Sequence, residues 1–504
     1  MKESMKRIRP YLVGIIFAGY VLFNVILLWF HEPWRDEANV WLMARELSPL
    51  RLLQEIKYQG HPCLWYFLVM PFAKLGLPFR TIGILSTVIM AVTAWIYLQR
   101  SRQSLVLKVL VLFSPIFTYF YPTIARNYCL IALLVILLAA FYPERNTHPL
   151  RYGLLLGLLV QADTIAIAPA GMITLIWFLE NAFSCVKAKN MKYVLQCLKG
   201  AVIPFISLLF WIVQFYQVSD SPVFEFQRFG VRELLTEVRN YMYIILIRLT
   251  GWSQMVCSLF FLVVFLTIVV LSSRIRNIGS AAVLLMNVLF QCVFSVMVYQ
   301  LHIWHYLSLC FVFLWMIWTI QTTAEEKKVE SDQTYRISLI ILQVIFGILP
   351  IAMFLHWNSG EESSNLQNAL YGSYSDGEYT ADFIEENIRT DDVLITTNVC
   401  MESTIVAYLK DYRFYYAGNG QQETYADWSE RQTGSISVEE LLKWVRETFP
   451  EKEEVYLIEG NESCISDSWN LDSYPVVYET NGTTARDEEY RIYKIEIMDG
   501  MGGL

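Results

Sequence analysis

The sequence predicts a polytopic α-helical membrane protein with a C-terminal α/β domain. Its 504 residues are 55% hydrophobic and only 17% charged, whereas a soluble domain carries about 25% charged residues. Several apolar runs of about 17–22 residues lack interior charge, and such runs can cross a hydrocarbon core of about 30 Å. After about residue 360, the long apolar runs give way to short β-rich runs and amphipathic helix patterns.

The distribution of charge divides the chain near the same point. Residues 361–504 hold 30 acidic and 10 basic residues, while the rest of the chain holds 17 acidic and 29 basic residues. A basic membrane part and an acidic tail indicate two compartments, and neither requires a nucleic-acid partner. We therefore expect a transmembrane domain at 1–355 and an extracytoplasmic domain at 356–504.

Hydropathy predicts about eleven transmembrane helices. The first follows a basic N-terminus, and its apolar run is too long for the core of a signal peptide, so we expect a retained anchor. The proline-interrupted run 62–76 is expected to lie along the membrane surface. A break in the apolar pattern at Asp163 divides 152–181 into two short helices. The predicted helices cover residues 11–30, 80–99, 105–121, 127–142, 152–163, 164–181, 196–216, 252–271, 279–299, 303–321 and 337–355.

Lysine and arginine residues predict the orientation, because they are enriched in cytoplasmic loops. Every basic cluster between these helices falls on the cytoplasmic side if the chain starts inside and crosses the bilayer eleven times. The sequence therefore predicts a multi-pass protein of the cell membrane, with a cytoplasmic N-terminus and an extracytoplasmic C-terminal domain.

The tail has the pattern of a small α/β domain. Runs such as DDVLITTN and EEVYLIEG alternate with helix patterns, and Ser437 followed by Glu440 is a capping box that opens one helix. The tail contains no glycine-rich phosphate loop and no catalytic signature. Cys400 and Cys464 both lie in it and could form a disulfide in an oxidising compartment, which the sequence alone leaves open.

The predicted topology collects ionisable residues at the outer ends of the helices, where such residues are functional candidates. Other interpretations stay open for each of them. Asp36 and Glu37 could be a solvated loop start or the first turn of an amphipathic helix, and Arg126 could reach out to the membrane surface. The two histidines of the last external loop could be interfacial anchors or a metal pair. The candidates are Asp36, Glu37, His61, Arg126, Asp163, His302 and His305.

Three motifs in this order resemble the GT-C superfamily of glycosyltransferases that use lipid-linked sugars. They are WRDE at 34–37, GHPCLWYFL at 60–68 and ARNY at 125–128, and a short hairpin and a histidine-containing loop follow. The resemblance covers about residues 10–320 and looks closest to the protein mannosyltransferase and aminoarabinose transferase branch, which is glycosyltransferase family 39-like. The C-terminal domain lies outside it.

The resemblance implies roles for four of the candidates. Asp36 corresponds to the catalytic carboxylate, with Glu37 as a supporting or phosphate-side residue. Arg126 and His61 correspond to residues near the donor phosphate. Many relatives have lysine at the position of His61, so the imidazole would have to be protonated to act in the same way. No role carries over to Asp163.

The implied function is transfer of a sugar from a polyprenyl-phosphate donor to an extracytoplasmic glycan, lipid or protein, with inversion at the anomeric carbon. Phosphate is already a good leaving group, so the reaction needs a base for the acceptor hydroxyl and cations for the departing phosphate. No obligatory cofactor follows, and a divalent cation stays open because no external loop contains DxD.

Two other classes of function compete with this interpretation. A transporter or flippase usually places its coupling charges near the membrane midplane, in broken helices of repeated halves, and this chain shows no convincing repeat. A non-catalytic sensor could use the acidic tail as a receptor, but it would leave the three motifs unexplained.

Overall fold

The computed structural model describes residues 2–216, 227–359, 366–480, 482–483 and 488–497. A bundle of helices comes first, and an α/β domain follows it. The bundle consists of α1 (Lys2–Phe30), α2 (Arg35–Glu46), α3 (Pro49–Glu55), α4 (Leu64–Lys74), α5 (Thr81–Arg100), α6 (Leu105–Leu112), α7 (Tyr128–Phe141), α8 (Pro149–Ala162), α9 (Ile167–Ala188), α10 (Lys192–Phe215), α11 (Val231–Thr250), α12 (Gln254–Arg274), α13 (Gly279–Met297), α14 (Ile303–Tyr306), α15 (Ser308–Glu326) and α16 (Gln333–Ser359).

Eight helical segments within the described residues are long and apolar enough to cross a membrane. They confirm the polytopic helical fold. The other three predicted spans correspond to α6, α7 and α8, which have eight, 14 and 14 residues and are too short to join this group. The eight segments are Arg9–Phe30, Thr81–Arg100, Thr164–Ala188, Lys192–Phe215, Gln254–Arg274, Gly279–Met297, Ile303–Glu326 and Gln333–Asn358.

The helix expected at 105–121 is not continuous. It ends at Leu112, and a π-helical turn follows at Ile116–Phe120. Pro115 has no backbone N–H to donate to the carbonyl of Val111, and the hydroxyl of Ser114 donates to that carbonyl instead, at 2.7 Å. The break lets the chain turn into the ARNY segment.

Helix α11 was not predicted, because four charged residues in its first half interrupt the hydropathy pattern. It packs against α13 and α16. Its polar side chains find buried partners on neighbouring helices: the Tyr241 hydroxyl donates to Gln291 of α13 at 2.7 Å, and Glu237 accepts from the hydroxyl of Tyr306 of α14 at 2.6 Å.

The C-terminal domain is the expected α/β domain. Its five-stranded sheet has the order β2-β1-β3-β5-β4, in which β2, β1 and β3 are parallel and β5 and β4 are antiparallel. Ser437 and Glu440 form the predicted capping box. Cys464 is a free thiol, so no disulfide joins it to Cys400. The elements are α17 (Leu366–Tyr371), α18 (Gly377–Asn387), β1 (Val393–Thr396), α19 (Ser403–Tyr408), β2 (Phe414–Tyr416), α20 (Val438–Thr448), β3 (Glu454–Glu459), β4 (Val476–Glu479) and β5 (Arg491–Glu496).

This domain packs onto one end of the bundle. The amphipathic helix expected after the WRDE motif is α2, and it packs between α4 and α19. The buried carboxylate of Glu488 accepts hydrogen bonds from the backbone N–H of Arg35 at 3.0 Å and from the hydroxyls of Ser375 and Thr404 at 2.9 Å. The carboxylate of Glu32 in turn accepts from the backbone N–H of Tyr374 at 2.6 Å. The C-terminal domain therefore covers the segment that carries Asp36.

Candidate functional site

A cavity of about 1210 Å³ lies between the helical bundle and the C-terminal domain. Six of the seven candidate residues line it, and Glu37 is the exception. The bundle contributes the start of α2, the loop before α4, the ARNY segment, the turn between α8 and α9, and the loop around α14. The C-terminal domain closes the cavity with Tyr374, Cys400, Trp428, Asn461 and Glu462.

Four of the candidates form one chain of polar contacts. One terminal nitrogen of Arg126 pairs with Asp36. The other lies 2.9 Å from Nε2 of His61, and Nδ1 of the same ring lies 3.2 Å from the carboxylate of Asp163. Residues that are far apart in the sequence, on α2 and in three loops, therefore form one Asp–Arg–His–Asp array.

The order of donors in this array indicates the tautomer of His61. A guanidinium group has donors and no acceptor, so Nε2 of His61 must accept from Arg126. The ring proton then lies on Nδ1, which faces the carboxylate of Asp163. In this arrangement His61 accepts from Arg126, whereas the resemblance implies a protonated ring that faces a phosphate.

Asp163 is 1% exposed and is held by further donors. The side-chain amide of Asn127 donates to it at 2.6 Å, and the backbone N–H of Ile165 donates at 2.9 Å. A buried carboxylate needs such partners. The hairpin turn between α8 and α9 thus fixes one end of the array.

Glu37 points away from the cavity and is fully buried. Its carboxylate accepts from the backbone N–H of Trp34 at 3.0 Å and from that of Ala125 at 2.6 Å, and it lies 3.1 Å from Nε2 of His31. Glu37 therefore connects the start of α2 to the segment that carries Arg126.

The two histidines of the last external loop also reach the cavity. The ring of His302 stacks on Trp304 with centroids 4.8 Å apart, and the His302 backbone N–H donates to Nδ1 of His305 at 3.1 Å. Burial, followed by the charges of Arg126, Arg35 and Arg248, lowers the pKa of His302 below its usual value. No group of three His, Cys, Asp or Glu residues within the described ranges could hold a metal ion.

Several cavity residues lie in segments whose sequence pattern does not indicate a site. Arg248 lies near the end of the unpredicted helix α11, and it makes no ion pair with any residue that the structure describes. The sequence does contain an indication of Arg248, which directly follows the apolar run YIILI. A basic residue at the end of an apolar run often lies at a membrane surface. The C-terminal residues come from loops, which give no periodic signal.

No protein-family model matches the chain, and no curated protein matches it. Among solved structures, it is similar to the crystal structure of ArnT from Cupriavidus metallidurans bound to undecaprenyl phosphate, with a TM-score of 0.52 and 10% sequence identity. The similarity covers 98% of this chain and 99% of that chain, so it extends into the C-terminal domain, beyond the resemblance seen in the sequence. The chain therefore shares the fold of that solved structure, over nearly the whole length of both chains.

Proposed function

We propose that this protein is an integral membrane glycosyltransferase that moves a sugar from a polyprenyl-phosphate donor to an extracytoplasmic acceptor. The observation that carries the proposal is the pairing of Asp36 with Arg126 inside a cavity between the bundle and the C-terminal domain. The similarity in fold to a structure bound to undecaprenyl phosphate supports it.

Arg126 and Arg248 suit the donor phosphate. A guanidinium presents a planar fork of donors to phosphate oxygens, and both arginines line the cavity. The phosphate would compete with the Asp36 carboxylate for Arg126. Donor binding would thereby release Asp36 from its partner as the acceptor arrives.

The released carboxylate would act as the general base. The acceptor oxygen attacks the anomeric carbon, its proton passes to Asp36, and the bond between the anomeric carbon and the phosphate oxygen breaks. The electron pair leaves on the polyprenyl phosphate, where the arginines stabilise the charge. A single displacement of this kind inverts the anomeric centre.

His61 and Asp163 would respond to the same event. When Arg126 turns to the phosphate, Nε2 of His61 loses its donor and can itself take up a proton. A ring with a proton on both nitrogens would lie between the Asp163 carboxylate and the phosphate and could donate to both. This gives His61 the cationic role that lysine has in many proteins of the resembled family, but only after the donor binds.

Glu37 serves as a positioning residue in this scheme, because it fixes the segments that carry Asp36 and Arg126. His302 and His305 form part of the cavity wall. Arg126 and Arg248 supply the positive charge that the departing phosphate needs, so the scheme requires no cofactor. Transfer assays with and without EDTA test the divalent cation: retained transfer in EDTA indicates a metal-independent enzyme, and its loss indicates a metal.

The orientation follows the positive charge of the loops. The N-terminus lies in the cytoplasm, and the cavity opens at the outer surface of the cell membrane under the C-terminal domain. The transporter alternative fits less well, since the polar array lies at the end of the bundle that the C-terminal domain covers rather than midway along the helices.

The direct test uses purified protein and a panel of polyprenyl-phosphate sugars, with release of polyprenyl phosphate as the measurement. Release that depends on Asp36 supports the proposal. Folded protein that releases none from any donor in the panel would contradict it.

A further inference from the structure

Trp428 lies in the cavity wall that the C-terminal domain contributes. Its indole is half-buried and makes no ring contact or hydrogen bond with any residue in the part of the chain that the structure describes. A large aromatic side chain in a protein interior usually packs against other rings or satisfies its N–H. This ring instead presents its surface to the cavity that contains Asp36.

The backbone at Trp428 is in the left-handed region, with φ of 55°, where bulky side chains are uncommon. Within the described residues, five non-glycine residues have a positive φ. Three of them, Lys189, Arg276 and Lys328, end helices, where this conformation is ordinary. The other two are Trp428 and Glu462, and both line the cavity. Strained backbone of this kind collects at functional sites.

Hydrogen bonds hold the Trp428 loop in place from both sides. The backbone of the preceding Ala426 donates to the side chain of Asn39 at 2.8 Å and accepts from that of Gln59 at 2.9 Å. Within the loop, the Asp427 carboxylate accepts from the backbone N–H of Ser429 at 3.0 Å and from Nε of Arg431 at 3.1 Å. Asn39 and Gln59 belong to the bundle, so the loop that carries Trp428 is fixed relative to the bundle.

Glu462 follows β3 on the same side of the cavity. Its backbone carbonyl accepts from the side chain of Asn398 at 3.0 Å, which connects the ends of the parallel strands β1 and β3. Ligands of α/β sheets bind at the carboxyl ends of such strands. The Glu462 carboxylate is exposed and makes no hydrogen bond or ion pair with a described residue.

We propose that Trp428 and Glu462 form a binding subsite for a carbohydrate acceptor, opposite the donor phosphate. A pyranose ring has an apolar C–H face that fits the face of an indole, and its hydroxyls can donate to a carboxylate. The domain that carries the subsite has 30 acidic and 10 basic residues, so it disfavours anionic acceptors. The inference rests on the proposed function, and it narrows the acceptor to a neutral or amino-substituted glycan.

The test is binding of the full-length protein, in lipid nanodiscs, to a printed array of neutral, amino-substituted and anionic glycans. We expect binding to neutral or amino-substituted glycans and at least tenfold weaker binding for Trp428→Ala. Trp428→Gly should show the same loss although glycine relieves the strained backbone, so misfolding cannot explain the effect. Glu462→Gln should weaken binding less and should admit anionic glycans.

Trp469→Ala is the matched control, because Trp469 belongs to the same domain, is 69% exposed and lies outside the cavity. This variant should bind like the parent. The subsite is excluded if the parent binds no glycan on the array, or if the Trp428 and Trp469 variants bind equally. Release of polyprenyl phosphate is measured separately, so an enzyme that turns over its donor without Trp428-dependent glycan binding keeps the proposed function and loses only this subsite.

Discussion

The proposed chemistry depends most on the carboxylate of Asp36. Asparagine keeps its size and can still accept a hydrogen bond from Arg126, but it cannot take a proton from the acceptor. General-base catalysis contributes about 10²–10⁴-fold, so Asp36→Asn should reduce sugar transfer by about that factor while the donor lipid still binds. Both quantities are measured on protein that is folded in membranes.

The Glu37→Gln variant serves as the comparison for Asp36→Asn, because it changes the neighbouring carboxylate that lies outside the cavity. The Glu37 carboxylate is buried and accepts two backbone hydrogen bonds, so this substitution should lower thermal stability more than it lowers the transfer rate of the folded fraction. A parental transfer rate for Asp36→Asn would place the base elsewhere, and Asp163 would be the next residue to test.

Donor binding should be weakened even when Arg126 is replaced by lysine. Arg126 contacts Asp36 and His61 with two different nitrogens, which a single ammonium group cannot reproduce in the same geometry. Arg126→Ala should weaken donor binding by about 1.5–3 kcal/mol, the usual contribution of a charge-assisted hydrogen bond. Arg126→Lys should recover part of the loss. Equal donor affinity in all three proteins would leave Arg126 a structural role only.

Glu402 predicts a pH dependence of stability in the C-terminal domain. Burial raises the pKa of its carboxyl to about 8, against the opposing effect of hydrogen bonds from Asn398, Thr397 and Gly460. The folded state then binds a proton that the unfolded state has released, so stability falls as the pH rises from about 5 to 8, by at most about 1.4 kcal/mol per pH unit. Melting of Glu402→Gln should lack this slope, and parallel pH profiles of parent and variant would refute the assignment.

At the scale of elements, the contact between α8 and α10 positions the turn that carries Asp163. The two helices cross with Gly153 and Gly200 facing each other, and a Cβ on Gly153 would lie 2.1 Å from the carbonyl oxygen of Gly200. Small residues permit such close approach of helices in membranes. The position of Asp163 therefore depends on two glycines as well as on its own hydrogen bonds.

Gly153→Ala should therefore separate the helices, lower the melting temperature in detergent and reduce transfer. Gly171→Ala is the matched control, because a Cβ on Gly171 of α9 meets nothing within 4 Å, and it should behave like the parent. Equal melting temperatures for the two variants would show that the crossing tolerates a methyl group.

At the scale of the whole molecule, the C-terminal domain is part of the cavity. Its helix α19 packs over α2 of the bundle. Hydrogen bonds join the two parts, from Arg35 of the bundle to Glu488 and from Tyr374 to Glu32 of the bundle. Deleting the domain would uncover the apolar face of α2, so point variants at Trp428 are a cleaner test of acceptor binding than truncation.

The proposed topology can be tested by labelling introduced cysteines in intact cells with a reagent that cannot cross the membrane. Trp469→Cys should be labelled, since Trp469 is exposed on the C-terminal domain. Lys328→Cys, in the loop between α15 and α16, should be labelled only after the cells are opened. The reverse pattern would invert the proposed orientation.

The sequence by itself determined the class of fold and the end of the helices at which the polar residues lie. Hydropathy and loop charge are properties of consecutive residues, so they revealed a polytopic helical protein with an α/β tail. The same properties failed where charge and apolar residues mix, and α11 with Arg248 was missed for that reason.

The tertiary structure alone decided which candidates meet. Asp36 and Glu37 are adjacent, but successive residues of a helix point about 100° apart, so one faces the cavity and the other is buried behind it. The contacts of Arg126 with Asp36 and His61, and the position of Trp428 in the wall of the same cavity, join segments that are distant in the chain. Such contacts depend on how helices and domains pack against each other, and the local sequence of a single segment does not specify that packing.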